Sequence, residues 1–153
     1  EPQGEVYTEV MQRRTEAYKQ STADGDGTMK YSFTIHGRLK GLNDYIDACR
    51  RNPKGGGRFK HKEQAWVSLC VRNKLRGVKI RRPVIIHYHW YEPNRRRDLD
   101  NIAGFGHKVI QDALVECGVL ANDGWKEVCG FTDTFSVSQK EPYITVELEE
   151  VIR

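Results

Sequence analysis

The sequence lacks a long uninterrupted run of apolar residues, and this absence excludes a broad class of proteins. Of its 153 residues, 38% are hydrophobic and 30% are charged, and the mean hydropathy is −0.70. No apolar run approaches the ~20 residues that a membrane-spanning helix needs. The N-terminus also lacks the charged-then-apolar pattern of a secretory signal. We therefore predict a cytoplasmic protein with no membrane segment, of a length that suits one domain.

Cysteine is scarce and irregularly spaced, which argues against a zinc site and against a disulfide framework. The four cysteines are Cys49, Cys70, Cys117 and Cys129. They form no CxxC pair and no ladder with histidine, which are the spacings that zinc sites use. We expect reduced and mostly buried thiols, as in a cytosolic protein.

Charges of the two signs are unevenly distributed along the chain. Residues 1–28 contain six acidic and three basic side chains, a net charge of −3, so residues 29–153 carry +7 within the formal total of +4. A basic body favours a polyanionic partner through counterion release, although many basic domains never bind nucleic acid. Residues 1–28, for which a weak apolar stripe predicts some helix, are interpreted as an expression remnant or an appended arm. The sequence leaves both alternatives open.

The hydrophobic pattern predicts a compact α+β domain over residues 29–153, with a small mixed β-sheet packed by about three helices. Alternation predicts strands at 30–35, 84–91, 126–137 and 142–150, and helical periodicity predicts helices at 42–49, 62–76 and 99–117. The third helix has the apolar stripe Ile102, Phe105, Val109, Ala113 and Leu114. We expect the last two strands to pair antiparallel.

A basic segment over residues 50–62 predicts a mobile and strongly positive loop. It contains three consecutive glycines and six basic side chains, which are Arg50, Arg51, Lys54, Arg58, Lys60 and Lys62. As a DNA clamp, these side chains would neutralise phosphates while the glycines let the backbone approach closely. As a solvated flexible loop, the segment needs no function. Both interpretations remain open.

The stretch that is richest in side chains capable of catalysis lies between the second strand and the third helix. It is Arg95-Arg96-Arg97-Asp98-Leu99-Asp100-Asn101-Ile102. Hydrolysis of a phosphodiester needs a divalent metal, and Mg²⁺ prefers carboxylate oxygens and water as ligands. Neighbouring arginines can hold phosphates beside the scissile one. The structural alternative is helix capping, worth roughly 1 kcal/mol, which accounts for one of the two acids only.

Asp123 is a third acid, in the loop after the same helix. Asp-Gly is a common turn signal, so a turn alone explains this residue. It also precedes a strand that could return beside residues 84–91, which would bring Asp123 near Asp98 and Asp100. Three converging carboxylates repel one another, and a bound cation would resolve that conflict.

Several motifs follow one another in a fixed order, namely residues 95–102, Lys108, Asp112-Ala113-Leu114, Gly118 and Asn122-Asp123. Together they resemble the RusA family of crossover-junction endodeoxyribonucleases, which is common in phages and prophages. The match is tight over residues 88–128 and weaker elsewhere. The resemblance implies a homodimeric, Mg²⁺-dependent enzyme that nicks four-way DNA junctions symmetrically in recombination and repair, with Mn²⁺ as a substitute ion. It implies that Asp98, Asp100 and Asp123 are metal-binding catalytic acids. Lys108 would serve the scissile phosphate, and Arg95, Arg96 and Arg97 would bind DNA.

The sequence departs from the family pattern in two places. The family's lysine follows the second aspartate by one helical turn, whereas Asp100 and Lys108 are eight residues apart. At 100° per residue, His107 lies on the face of Asp100, so the choice between Lys108 and His107 remains open. The second departure is Asn122, which stands where the family has another acid.

Two other functions remain as alternatives. One is a non-catalytic module that binds branched DNA and keeps the acids for folding, and the other is a metal-dependent nuclease that acts on other DNA structures. His87 and His89 share one face of the predicted second strand. We interpret them as polar residues of a half-exposed strand, since no matching Cys or His ladder indicates a metal site.

Overall fold

A four-stranded mixed sheet forms the centre of the computed structural model, which describes residues 27–152. The strands are β1 (Lys30–His36), β2 (Val84–Glu92), β3 (Val128–Val137) and β4 (Tyr143–Glu150), in the spatial order β1-β4-β2-β3. β4 is antiparallel to both of its neighbours, whereas β2 and β3 are parallel. The predicted antiparallel pairing of the last two strands is therefore wrong. The helix between β2 and β3 carries the chain back along the sheet, so β3 can start beside the beginning of β2.

Three helices complete the α+β fold, as the sequence predicted. They are α1 (Leu42–Arg51), α2 (Gly55–Leu75) and α3 (Leu99–Glu116). Strand β2 alternates strictly between buried and half-buried side chains, because one sheet face is covered by the helices and the other is not. The predicted apolar stripe of α3 is wholly buried. Gly106 in this helix lies so close to the Trp90 indole that a Cβ there would overlap the ring.

The basic segment at 50–62 is helical over most of its length, so the predicted loop is wrong at residues 50–51 and 55–62. Helix α2 begins at Gly55, and only residues 52–54 connect it to α1. A Cβ on Gly55 would lie 2.7 Å from the carbonyl oxygen of Ala48, and a Cβ on Gly56 would overlap Cys49 Sγ. Gly55 and Gly56 therefore serve the close packing of α1 against the first turn of α2, rather than backbone mobility.

Asn101 connects the first turns of two helices. The N-cap of α1 is Gly41, which has no side chain to offer as a cap. The Oδ1 atom of Asn101, on α3, instead accepts the backbone N–H of Asn43 at 2.9 Å. A Cβ on Gly41 would lie 2.6 Å from that same oxygen. Asn101 thus has a structural task within the Asp-Leu-Asp-Asn motif.

Residues 1–26 and 153 lie outside the described residues, so the predicted N-terminal extension 1–28 stays a prediction. Met29 pairs with the end of β4, where the Glu150 N–H donates to the Met29 carbonyl at 3.0 Å. Among the helices described, none has both the length and the apolar character that crossing a membrane would require.

We predict opposite effects for two neighbouring glycine substitutions. Gly56→Ala should lower the free energy of unfolding by about 1–3 kcal/mol, since the new methyl group overlaps Cys49 Sγ. Gly57→Ala should raise it by roughly 0.5–1 kcal/mol, because its Cβ meets open space and helical glycine is entropically costly. Urea denaturation of both variants measures the two values. Equal effects would contradict the close packing of α1 and α2.

Candidate active-site cleft

An open cleft lies where the carboxyl ends of β2 and β3 meet the first turn of α3. Its volume is about 560 Å³, and its polar lining comes from the β2–α3 connection and from the second half of β3. In open α/β sheets, ligands bind outside the carboxyl ends of parallel strands, where the chain leaves the sheet for a helix. The position of this cleft is therefore typical of a functional site.

Asp98 faces the cleft from the N-cap position of α3. Its backbone is extended (φ −66°, ψ 153°), and its carbonyl accepts the N–H of Ile102 at 3.1 Å. Its carboxylate makes no cap hydrogen bond, and it has no ion-pair partner among residues 27–152. Helix capping, the structural alternative for this aspartate, is therefore not what its side chain does. The carboxylate is available to a ligand.

Asp100 is exposed in the first turn of α3. One of its carboxylate oxygens accepts the N–H of Asn101 at 2.9 Å, and the group complements the positive end of the helix dipole. Of the two motif aspartates, Asp98 is thus the one that lines the cleft.

A buried ion pair fixes the connection that leads into Asp98. Glu92 ends β2 with only 6% of its surface exposed, and the Arg97 guanidinium donates to its Oε1. Arg97 also donates to the Leu39 carbonyl at 3.0 Å, and Arg38 Nε lies 3.7 Å from Glu92 Oε2. A buried carboxylate needs such a countercharge. Arg97, predicted to bind DNA, therefore has its guanidinium committed inside the protein.

Arg95 and Arg96 keep the exposure that phosphate binding requires. Both side chains are exposed, and Arg95 lines the cleft together with Asp98. The other predicted DNA-binding residues lie around the α1–α2 junction, where Arg50, Arg51, Lys54, Arg58 and Lys62 are exposed. Lys60 differs, because its ammonium group binds Asp112 on α3. Most of this positive surface therefore lies on helices, so its shape does not depend on the binding of DNA.

Asp133, on β3, is an acid of the cleft that the sequence did not indicate. Its Oδ1 accepts the Trp90 Nε1–H at 2.7 Å and lies 2.7 Å from His107 Nε2. These two contacts hold the carboxylate against the cleft wall. An aspartate between threonines on an edge strand carries no functional pattern in the sequence. Only the pairing of β3 beside β2 shows its position.

His107 lies far along α3 from Asp98. Nine residues at 1.5 Å each separate the two by about 14 Å along the helix axis. The imidazole stacks on the Tyr88 ring, with the centroids 4.4 Å apart, and contacts Asp133. Burial raises the pKa of Tyr88, so its phenol is neutral beside the imidazole. The structure gives His107 a role in holding Asp133.

Asp123 lies apart from Asp98 and Asp100, which corrects the predicted convergence of three carboxylates. Its Oδ2 is 3.2 Å from Lys108 Nζ, which also lies 3.1 Å from Asp112 Oδ1. Because β3 runs parallel to β2, α3 returns the chain to the starting edge of the sheet before β3 begins. The loop with Asp123 therefore meets the second half of α3, whereas Asp98 stands at its beginning.

The residues Lys60, Lys108, Asp112 and Asp123 form a lysine–aspartate cluster between α2, α3 and the following loop. The Lys108 ammonium group donates hydrogen bonds to Asp112 and Asp123, and these bonds raise the pKa of Lys108. Partial burial acts to raise the pKa of Asp112, but the ammonium groups of Lys60 and Lys108 together lower it below its ordinary value. Lys108, predicted to serve the scissile phosphate, thus has two aspartate partners.

Comparison with known proteins gives little similarity. No protein-family model matches the chain, and no curated protein matches it. A solved structure with detectable likeness is thiamine monophosphate kinase from Aquifex aeolicus, at 13% identity and a TM-score of 0.44. The alignment covers 95% of this chain and 41% of that chain. A likeness at this level supports no statement about the fold or the activity.

We predict that Lys60→Met lowers the free energy of unfolding at neutral pH and that this loss disappears at acidic pH. The pKa of Asp112 is lowered in the folded state, so its stabilisation is fully present above the unfolded value near 3.9 and disappears as pH falls through the folded pKa. Removing one ammonium group should raise the pKa of Asp112 and cost about 1 kcal/mol at neutral pH.

Urea denaturation from pH 2 to 7, with carboxyl NMR titration of Asp112, measures this effect. The difference between Lys60→Met and the unmodified protein should shrink as the pH falls below about 4. Lys62→Met, on the exposed side of the same helix, is the matched control. A difference that stays constant down to pH 2 would show that the lysine acts by packing alone.

Proposed function

We propose that this protein is a Mg²⁺-dependent endonuclease that resolves four-way DNA junctions by hydrolysing phosphodiesters. The observation that carries the proposal is the carboxylate of Asp98, which faces the cleft without a cap hydrogen bond. A carboxylate in this position repels a phosphate unless a cation lies between them. The exposed Arg95 beside it supplies the complementary charge for a DNA backbone.

The chemistry of the available side chains fits Mg²⁺. This ion binds through one or two carboxylates and keeps several waters, so Asp98, with Asp100 two residues along, would hold it. When bound, Mg²⁺ polarises a phosphoryl oxygen and makes water a stronger nucleophile. Mn²⁺ prefers the same oxygen ligands and should substitute. The Glu92–Arg97 pair orients the connection from which Asp98 projects.

DNA binding is assigned to the exposed basic residues at the cleft and at the α1–α2 junction. Arg95 and Arg96 would hold phosphates next to the scissile bond, and the junction residues would bind the backbone of an adjoining arm. Asn101 ties the first turn of α1 to that of α3, so both basic surfaces belong to one framework. The resemblance to RusA-type resolvases supports a branched substrate, and a cytoplasmic location goes with it.

A homodimer is part of the proposal. A four-way junction has approximate two-fold symmetry, and paired symmetric nicks need one cleft per subunit in a C₂ arrangement. The resemblance implies this assembly, in keeping with a role in recombination and repair.

We predict that Asp98→Asn abolishes Mg²⁺-dependent nicking of a synthetic four-way junction. The rate should fall at least about 100-fold, because the amide is a weaker ligand for a hard cation. Junction binding in a gel shift without metal should persist, since no phosphate contact is lost. Asp47→Asn, an exposed aspartate on α1, is the control for a lost surface charge. Unchanged nicking by Asp98→Asn would reject the assignment of this acid.

A substrate comparison separates the proposal from the alternatives. We expect four-way junctions to be nicked in preference to replication forks, and linear duplexes least. Equal cutting of all three would indicate a metal-dependent nuclease for other DNA structures. Tight junction binding without cutting, in Mg²⁺ or Mn²⁺, would indicate a non-catalytic binding module.

A further inference from the structure

The sheet face turned away from the helices contains a separate group of metal-ligand side chains. His87 on β2 lies directly opposite Glu147 on β4, and Glu149 follows two residues later on the same face. One ligand atom from each residue lies within 4.8 Å of the others, and all three side chains are partly buried. In the part of the chain that the structure describes, no other His, Cys, Asp or Glu set of three is so close.

The imidazole of His87 is oriented by a hydrogen bond on its far side. Its Nδ1 lies 2.6 Å from the Thr132 hydroxyl on β3, and its Nε2 lies 2.7 Å from Glu149 Oε2. Histidines that bind metals commonly have their second ring nitrogen held in this way, which fixes the ring and its tautomer. With the Nδ1 proton donated to Thr132, the lone pair of Nε2 faces Glu149, and a ligand atom of Glu147 lies within 4.8 Å of those of the other two residues.

A simple cross-strand hydrogen bond explains only part of this arrangement. His87 can donate from Nε2 to Glu149, which leaves Glu147 unexplained beside a second carboxylate. The next rung of the sheet has the same histidine–threonine contact, between His89 Nδ1 and Thr134 at 2.5 Å. There the β4 residue opposite the histidine is Thr145, not an acid. The paired glutamates therefore distinguish the His87 rung.

We propose that His87, Glu147 and Glu149 form a site for a divalent transition-metal ion, with Zn²⁺ as the ion it fits. The set offers one imidazole nitrogen and two carboxylate oxygens, and a water would complete a tetrahedron. Mg²⁺ favours oxygen ligands alone, so the nitrogen ligand discriminates against it. Ligands of a tetrahedral zinc at about 2.0–2.2 Å lie roughly 3.4 Å from one another. His87 Nε2 and Glu149 Oε2, now 2.7 Å apart, would move slightly apart, whereas the Glu147 oxygen would stay within its present limit of 4.8 Å or approach.

The bound ion would link β2 to β4 at the centre of the sheet. The site lies on the opposite face from the Asp98 cleft and does not depend on the proposed nuclease function. Lys30 on β1 is the residue paired with Glu149, so a positive charge lies in the neighbouring strand. Because the three ligands come from paired strands, they are positioned before the ion arrives.

Calorimetric titration with Zn²⁺ tests the proposal. The protein carries Cys49→Ser, to remove its exposed thiol, and excess Mg²⁺ is present to occupy the cleft. We expect one zinc per chain and a higher melting temperature with zinc. Glu147→Gln keeps the His87 contacts to Glu149 and Thr132, yet it should weaken zinc binding at least about tenfold and remove the thermal shift.

His89→Gln is the matched control and should bind zinc like the parent. NMR of the imidazole groups should show His87 as the ring perturbed by zinc. Glu149→Gln replaces Glu147→Gln if that variant does not fold. Equal zinc affinity in Glu147→Gln and the parent, or no stoichiometric binding by the parent, would overturn the proposal. These measurements do not use junction nicking, so a failure of the nuclease proposal would leave the zinc-binding results unchanged.

Discussion

The parallel pairing of β2 with β3 is the constraint on which the rest of the structure depends. Two parallel neighbours cannot be joined by a tight turn, so a helix must return the chain along the sheet. α3 is that helix, and its apolar stripe packs on the buried side of β2. The arrangement places Asp98 at the carboxyl ends of both strands and sends the Asp123 loop toward the other end of α3. The cleft therefore forms beside Asp98 and not beside Asp123.

Charge in this protein divides into groups that the fold uses and groups that it leaves free. Burying Glu92 requires a countercharge, and Arg97 supplies it from the start of the motif. The lysine–aspartate cluster neutralises Asp112 and Asp123 in the same way. What stays available is the Asp98 carboxylate and the exposed guanidiniums of Arg95 and Arg96. The proposed function rests on these groups, because a metal or a phosphate that bound them would displace no ion-pair partner among residues 27–152.

The two faces of the sheet are chemically different because only one is covered by helices. On the covered face, Tyr88 and Trp90 pack beneath α3 and position Asp133 and His107. On the other face, side chains of intermediate exposure keep polar groups close together, including the His87 rung. Strand alternation in the sequence predicted that His87 and His89 share a face. It did not indicate the glutamates, because they lie sixty residues later in the chain.

Local patterns in the sequence determined the helices, the strands, the buried stripe of α3 and the position of Asp98 at a helix start. These features depend on side-chain periodicity and on capping chemistry within a few residues. The sequence could not determine which strands pair, since pairing is settled by contacts between distant segments. Only the tertiary structure therefore separated Asp123 from Asp98, brought Asp133 to the cleft and extended α2 through its glycines. Those glycines suggest a loop by propensity, but the close approach of α1 and α2 requires residues without a Cβ.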